Sequence, residues 1–487
     1  MKTVKFIDNN IIVDTNGNFS VTNVPCEITI QPRKSKLGIM IVGIGGNNGT
    51  TFIAGLLAKK AGITWDTTTG KKSVKYYGSM SQYGSVHIGY DSQGAPHSRL
   101  FNDIADMYNP EDIVMGGWDI CKDNMYDATV KAQVIDYDLL QKLKHYIEPI
   151  IPIPSIYSPD FIAKNQAPRA TNVLPSENTL RDNINQIASD IINFKKWNNL
   201  DNVIVLWCAS TERFTKGTWS NRDELMEAID NDDPEISPSI QFAIAAAQTG
   251  CTFLNGSPQN TLGPAVIDNA KYHGTFVGGE DFKTGQTKIK SVLADWLVSS
   301  GIKPLSIVSY NHLGNNDGKN LDEAPQFKSK EITKKNVIDD VVDENPAIFP
   351  DGHPDHAVVI KYIPAVGDSK RAMDEYYSEI FLGGRHTLAM HNTCEDSLLA
   401  VPIILDIILF ADFFSRITIK RGDSDTPKPF GTVLSMLSLF FKAPVTNQAE
   451  PLVNAFFRQK ACIDNFFRII IGLPPADHML LSRRGGA

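Results

Sequence analysis

Along the first half of the chain, apolar residues come in short unbroken blocks, each followed by small polar residues. "LGIMIV" (37–42), "DIVMGGWD" (112–119), "NVIVLW" (202–207), "CTFLNG" (251–256) and "TFVGG" (275–279) read as strands buried on both faces, because a strand with one wet face alternates instead. Between them, Leu180, Ile184, Ile187 and Ile191 recur at three and four, which predicts a helix. Strands alternating with helices predict an α/β fold with a doubly wound parallel sheet. Further on, Ile289, Val292, Leu293, Trp296 and Leu297 mark one side of another helix, and "HAVVIKY" (356–362) alternates like a half-buried strand. "SIVSYNHL" (306–313) reads as a strand entering a polar binding loop of Asn315, Asn316, Asp317 and Gly318. The most apolar stretch, "LLAVPIILDIILFADFF" (398–414), is interrupted by Pro402, Asp406 and Asp412 and predicts a buried helix rather than a membrane span.

The first strand ends in "GIGGNNG" (43–49) and passes into a helical pattern. Glycines at such a turn let backbone approach a pyrophosphate, whose charge is favoured at a helix N-terminus. Asp66 lies at a suitable distance for a ribose-binding acid, but "WDTTTGKK" does not resemble a strand end, and Asp119, closing "DIVMGGWD", is the better candidate. The turn Thr284-Gly285-Gln286-Thr287 repeats this logic at the start of a second helix. "FKSKEITKK" (327–335) then packs Lys328, Lys330, Lys334 and Lys335 into nine residues. In a helix, Lys330 and Lys334 share a face, whereas Lys328 and Lys335 read as solvated. Lys370 and Lys442 each adjoin apolar sequence and invite a role.

Composition narrows these readings. A chain of 487 residues predicts two or three domains. A formal charge of −8 argues against nucleic acid or an anionic membrane as partner, so an anionic small molecule needs a local basic pocket. Six scattered cysteines and an amino-terminal stretch without an apolar run point to a reduced, cytoplasmic protein. His353 and His356, in "DGHPDH", read as a surface loop, and no metal is called for. Two anion-suited turns and several lysines imply a cofactor and a phosphorylated substrate, which fits a dehydrogenase, an isomerase or a nucleotide-sensing regulator.

"VGIGGNNGTT", "WCASTERF", "LNGSPQNT", "DFKTGQTK", "SYNHLGNNDGKNL", "VGDSKRAMDEYYSE" and "HNTCEDSLLA", in this order, resemble the eukaryotic type of the myo-inositol-1-phosphate synthase family. The resemblance implies a Rossmann-like NAD-binding domain over 37–287 and an α+β catalytic and tetramerisation domain over 288–400. It also implies a central region joining the arm 1–36 to residues 401–487. It implies an NAD-dependent isomerase that cyclises D-glucose 6-phosphate to 1D-myo-inositol 3-phosphate, in a homotetramer, with NAD reduced and reoxidised on one substrate molecule. By resemblance, Lys330, Lys334, Lys370 and Lys442 are catalytic, with Asp281 and Asp317 orienting them. Thr284, Gly285, Gln286 and Thr287 receive the substrate phosphate. Gly45, Gly46, Asn47, Asn48, Asp119, Ser155, Gln166, Arg169, Ser210, Thr211, Gly256, Ser257, Asn315, Asn316, Asp368 and Asp396 hold the cofactor. Glu280 where a second aspartate is usual, Thr284 for a serine, and "WCAS" for a Thr-Ala-Asn version depart from the family pattern.

Overall fold

The computed structural model describes residues 1–476 except 344, 351, 423–425, 448 and 449. Five of the apolar blocks form strands of one six-stranded parallel sheet. Its order is Val277–Gly278, Thr252–Asn255, Asn202–Trp207, Leu37–Val42, Val114–Asp119 and Ile153–Pro154. Numbered along the chain this is the 3-2-1-4-5-6 arrangement, whose direction reverses between Leu37–Val42 and Asn202–Trp207. Every residue of Leu37–Val42 is buried because both faces are covered. Ile39 and Ile41 enter one core, against Phe52, Leu143 and Phe410. Met40 and Val42 enter the other, against Ile184, Ile191 and Phe242.

The helix Asp396–Ser415 is long and apolar enough to cross a bilayer, with a mean hydropathy of 2.2 in its best window, yet 83% of that window is inside the fold. Its Asp406 is fully buried and accepts from Ser79 Oγ at 2.7 Å and from the amides of Met80 and Ser81 at 2.6 and 2.7 Å. Burial pushes this carboxyl's pKa up, while those donors hold it down. Asp406→Ala leaves the donors without an acceptor. We expect a loss of about 3 kcal/mol, measured as a lower urea midpoint, and a smaller loss for Asp406→Asn, which keeps an acceptor oxygen.

A second, mixed sheet runs Asp355–Tyr362, Lys303–Leu313, Ser369–Ile380, Gly384–Glu395. A third ties Lys2–Val13 and Phe19–Ile30 to Ile417–Arg421 and Lys428–Pro429, so the first and last parts of the chain share hydrogen bonds.

Four local expectations need correction. Residues around Asp66 do form a strand, Thr64–Thr67, but in a hairpin with Gly70–Ser73, where the Asp66 amide bonds Asp138. The polar stretch after Lys303–Leu313 is not a loop: Asn315 caps the short helix Asn316–Asn320 by accepting from the Gly318 amide. The helix Gly285–Ser299 buries Gln286, Lys290 and Ser291 alongside Ala294 and Leu297, while Trp296 is exposed. Its inner face meets polar groups, Asp374 and His356, so apolar periodicity misreads its orientation. His356 is not in a surface loop: it lies on the strand Asp355–Tyr362, half-buried, with Nε2 2.9 Å from Lys290 Nζ.

Candidate active site

The cavity opens at the point where the parallel sheet reverses direction, where such sheets take ligands. Gly43, at φ +84°, starts the turn, and a Cβ there would lie 2.6 Å from Ala209 Cα. A Cβ on Gly49 would lie 2.3 Å from the Ile44 carbonyl oxygen, so the helix can pack this closely only with glycine. Gly46 caps the helix Asn47–Lys60 without a side chain, and Gly46, Asn47 and Asn48 line the cavity. First-turn amides without a side-chain cap suit a bound phosphate. Asp119, the last residue of Val114–Asp119, is buried and accepts from the Gly45 amide at 2.9 Å and the Cys121 amide at 2.9 Å. Burial raises its pKa, opposed by Arg169 at 3.9 Å.

Ser155, Arg169, Ser210, Thr211, Gly256, Ser257, Asn315, Asn316 and Asp317 also line this cavity. Gly45 lines an adjoining recess with Lys131 and Arg169. Gln166 and Asp368 stand behind the wall. Gln166 accepts from Asn316 Nδ2 and Arg169 Nη1, both at 3.0 Å, and Asp368 accepts from Asn47 Nδ2 at 3.1 Å and Ser397 Oγ at 2.8 Å.

The lysines arrive from three directions. Lys330 and Lys334 lie on one buried face of the helix Ala324–Lys335. Lys370 starts the strand Ser369–Ile380, and Lys442 follows the short helical turn Ser435–Phe440. Lys370 Nζ lies 3.4 Å from Asp396, and all four lysines line the cavity with Asp281 and Asp396. One oxygen of Asp281 accepts from Lys330 at 2.8 Å and Lys442 at 2.9 Å, while the other accepts from Thr333 Oγ1 at 2.8 Å. Lys328 is instead exposed and Lys335 half-buried, and both pair with Glu331.

One carboxylate between two buried ammoniums cannot serve both equally. Burial opposes the charge of Lys330, but Asp281 more than offsets it, and the lysine's pKa is raised. Burial dominates at Lys442, with Lys330 and Lys370 adding repulsion, and brings it to about 7 despite Asp281. Asp281 itself, against burial, is drawn well below the carboxylate range by the two lysines. Lys334 is buried with no acceptor for its Nζ among the described residues, and burial together with Lys370, Lys442, Lys290 and Lys330 pushes its pKa far down.

Thr284 lines the cavity at the N-cap of Gly285–Ser299, with no side-chain cap bond of its own. Gln286 turns away to donate to Asp374 at 2.5 Å, and the Thr287 amide bonds the Thr284 carbonyl, so Gly285, Gln286 and Thr287 do not line the cavity through their side chains. Glu280 points into the core, accepting from the Leu262 amide, and burial pushes it up to about 8. The sequence reading missed Thr333, although its i+3 spacing from Lys330 puts it on the lysine face.

A dinucleotide crevice joined to four lysines and their carboxylates defines an NAD-dependent enzyme acting on an anionic substrate. An NAD-binding family model described as myo-inositol-1-phosphate synthase matches residues 37–468. An inositol-3-phosphate synthase of Dictyostelium discoideum is 50% identical, covering 99% of this chain and 97% of its own. Inositol-3-phosphate synthase 1-B of Xenopus laevis is 52% identical over 92% of this chain and 80% of its own. The crystal structure of inositol-3-phosphate synthase from Caenorhabditis elegans superposes with a TM-score of 0.94 at 46% identity, covering 100% of this chain and 96% of that one. The chain belongs to the myo-inositol-1-phosphate synthase family, and its cofactor is NAD.

Gly49→Ala tests the cofactor turn. The added Cβ meets the Ile44 carbonyl and displaces the helix start. We expect NAD affinity to fall at least about tenfold, by calorimetric titration, from the loss of helix-terminus contacts to phosphate.

Proposed function

We propose that the lysine–carboxylate cluster carries out the cyclisation of D-glucose 6-phosphate to 1D-myo-inositol 3-phosphate. The supporting observation is one buried carboxylate, Asp281, shared by Lys330 and Lys442 beside an unpartnered Lys334, all at the end of a dinucleotide crevice. NAD fits the crevice because Gly43 and Gly49 keep backbone close where side chains would collide, Gly46 leaves the helix start uncapped, and Asp119 closes the neighbouring strand. Gly45, Gly46, Asn47 and Asn48 would hold its phosphates and Asp119 its ribose. Ser155, Gln166, Arg169, Ser210, Thr211, Gly256, Ser257, Asn315, Asn316, Asp368 and Asp396 would form or support the rest of the cradle. Bound NAD supplies hydride acceptance from C5 and its return.

The residues of the chain do the remainder. Thr284, Gly285, Gln286 and Thr287, at the positive end of the helix Gly285–Ser299, form the turn that receives the substrate phosphate, through the Thr284 hydroxyl and the Gly285 and Gln286 amides, with the Thr287 amide closing the turn on the Thr284 carbonyl. Lys330, kept charged by Asp281, stabilises the oxyanions at C5 and C1. Lys334, held as a free amine, takes the C6 proton that the C5 ketone acidifies. Lys442, poised near neutrality, exchanges the hydroxyl proton at C5, while Lys370 and Asp317 orient the chain of hydroxyls. The attack of C6 on C1 closes the ring, so the product is an isomer of the substrate.

We place this reaction in the cytoplasm and in a homotetramer built on residues 288–400. The support for the tetramer is the edge strand Gly384–Glu395, whose Arg385, Thr387, Ala389, His391 and Thr393 are exposed on one face, and that for the cytoplasm is the set of six unpaired cysteines. The test of function is an NMR time course of glucose 6-phosphate with sub-stoichiometric NAD⁺. Many turnovers to an inositol phosphate without accumulating NADH are expected, and NADH formed in proportion to product would mark an ordinary dehydrogenase.

A further inference from the structure

We infer that Asn454 is a positioning residue that holds in register the three chain segments carrying Asp281, the lysine helix and Lys442. The inference deepens the lysine reading above and rests on it.

Asn454 is fully buried, and every polar atom of its side chain is used. Its Nδ2 donates to the Lys442 carbonyl and to the Asn336 carbonyl, both at 3.3 Å. Its Oδ1 accepts from Lys283 Nζ at 3.3 Å, and its own carbonyl accepts from the same ammonium at 3.2 Å. The amide is oriented by its two carbonyl partners, because a flip would set its oxygen against both. Its backbone is itself pinned: the Asn454 and Ala455 amides both donate to Asp340 Oδ2, at 2.7 and 2.9 Å.

Each partner belongs to a different part of the site. Asn336 is the C-cap of the helix that carries Lys330 and Lys334. Lys283 lies between Asp281 and the phosphate turn, is itself fully buried, and among the described residues donates to neutral oxygens, the third being Gln459 Oε1 at 3.3 Å. Lys442 lies outside any helix or named strand, directly after the isolated bridge between Phe282 and Phe441. Its amide donates to the Asp281 carbonyl at 2.7 Å and its carbonyl is held by Asn454, which fixes the backbone at both ends of the residue whose Nζ must reach Asp281. Reacting groups lose efficiency when displaced by an ångström, so a residue that registers three segments acts on the rate without touching substrate.

The test compares Asn454→Asp, Asn454→Ser and Lys442→Met with the wild-type protein. NAD titration counts folded sites per chain, and steady-state kinetics give kcat per NAD site and KM for glucose 6-phosphate. Asn454→Asp keeps shape and the acceptor toward Lys283 but sets an oxygen against the two carbonyls. Asn454→Ser introduces no charge, cannot span both carbonyls, and carries the same test if the aspartate variant does not fold. We expect kcat per NAD site to fall at least tenfold in both, with KM and NAD affinity within threefold of wild type. Activity that falls only in step with the number of NAD sites would reduce Asn454 to a structural residue and overturn the inference. Full per-site activity in the Asn454 variants beside an inactive Lys442→Met would overturn it while leaving the lysine reading intact. Full activity in Lys442→Met would remove the lysine reading and the inference together.

Discussion

Asp281→Asn lowers turnover by between about a hundredfold and ten-thousandfold while NAD still binds, because acid–base and oxyanion groups typically contribute that range. The substitution keeps the size of the side chain and an acceptor oxygen. It removes the carboxylate charge that opposes Lys330 and Lys442 across bonds of 2.8 and 2.9 Å. Without it, burial acts unopposed on Lys442 and is countered at Lys330 only by the more distant Asp317 and Asp396, so both lysines shift toward the neutral amine. The oxyanions then lack the permanent cation that Lys330 provides. Single-turnover kinetics with NAD already bound separate this loss from a binding defect. A variant that retains more than a tenth of wild-type turnover would sink the role given to Asp281. The same carboxylate has a signature in stability. Its folded-state pKa lies below the unfolded value of about 3.9, so its contribution is present above that pH and is lost as pH falls through the folded value. The urea midpoints of wild type and Asp281→Asn should therefore converge as the pH is lowered below about 4.

Lys334→Arg is expected to be as damaging, for the opposite reason. Lys334 is only 2% exposed, its Nζ has no acceptor among the described residues, and four other lysines repel a proton there. Its environment disfavours the charged form, as a base requires and a counter-ion for phosphate does not. Arginine stays charged at any working pH, so the variant retains a cation but cannot take a proton. Turnover should fall about a hundredfold or more, KM for glucose 6-phosphate should not rise in proportion, and no recovery should appear at alkaline pH. Measured kcat and KM from pH 6 to about 9, normalised to NAD sites, decide the matter. Activity within tenfold of wild type would instead make Lys334 an electrostatic contact.

Much of the fold was written in the order of residues. The strand blocks of the parallel sheet were legible because a doubly covered strand must be apolar throughout. The glycine turn was legible because only glycine permits the approaches at Gly43 and Gly49. The split between Lys330 and Lys334 on one side and Lys328 and Lys335 on the other followed from helical spacing, although membership of the site came from family resemblance rather than from periodicity. What the sequence could not reveal was which remote segments meet. Lys442 reaches Asp281 across 161 positions, through backbone bonds between 280–283 and 440–443 and a bridge between Phe282 and Phe441. The polar face of Gly285–Ser299, the burial of His356 against Lys290, and Asn454 were invisible for the same reason. Local patterns record whether a residue faces water or core, but a polar residue is stable in the core only when a specific distant partner satisfies it. Those partners exist only once the whole chain has closed around them, so tertiary structure alone decided which polar side chains were buried and which lysines came to share a carboxylate.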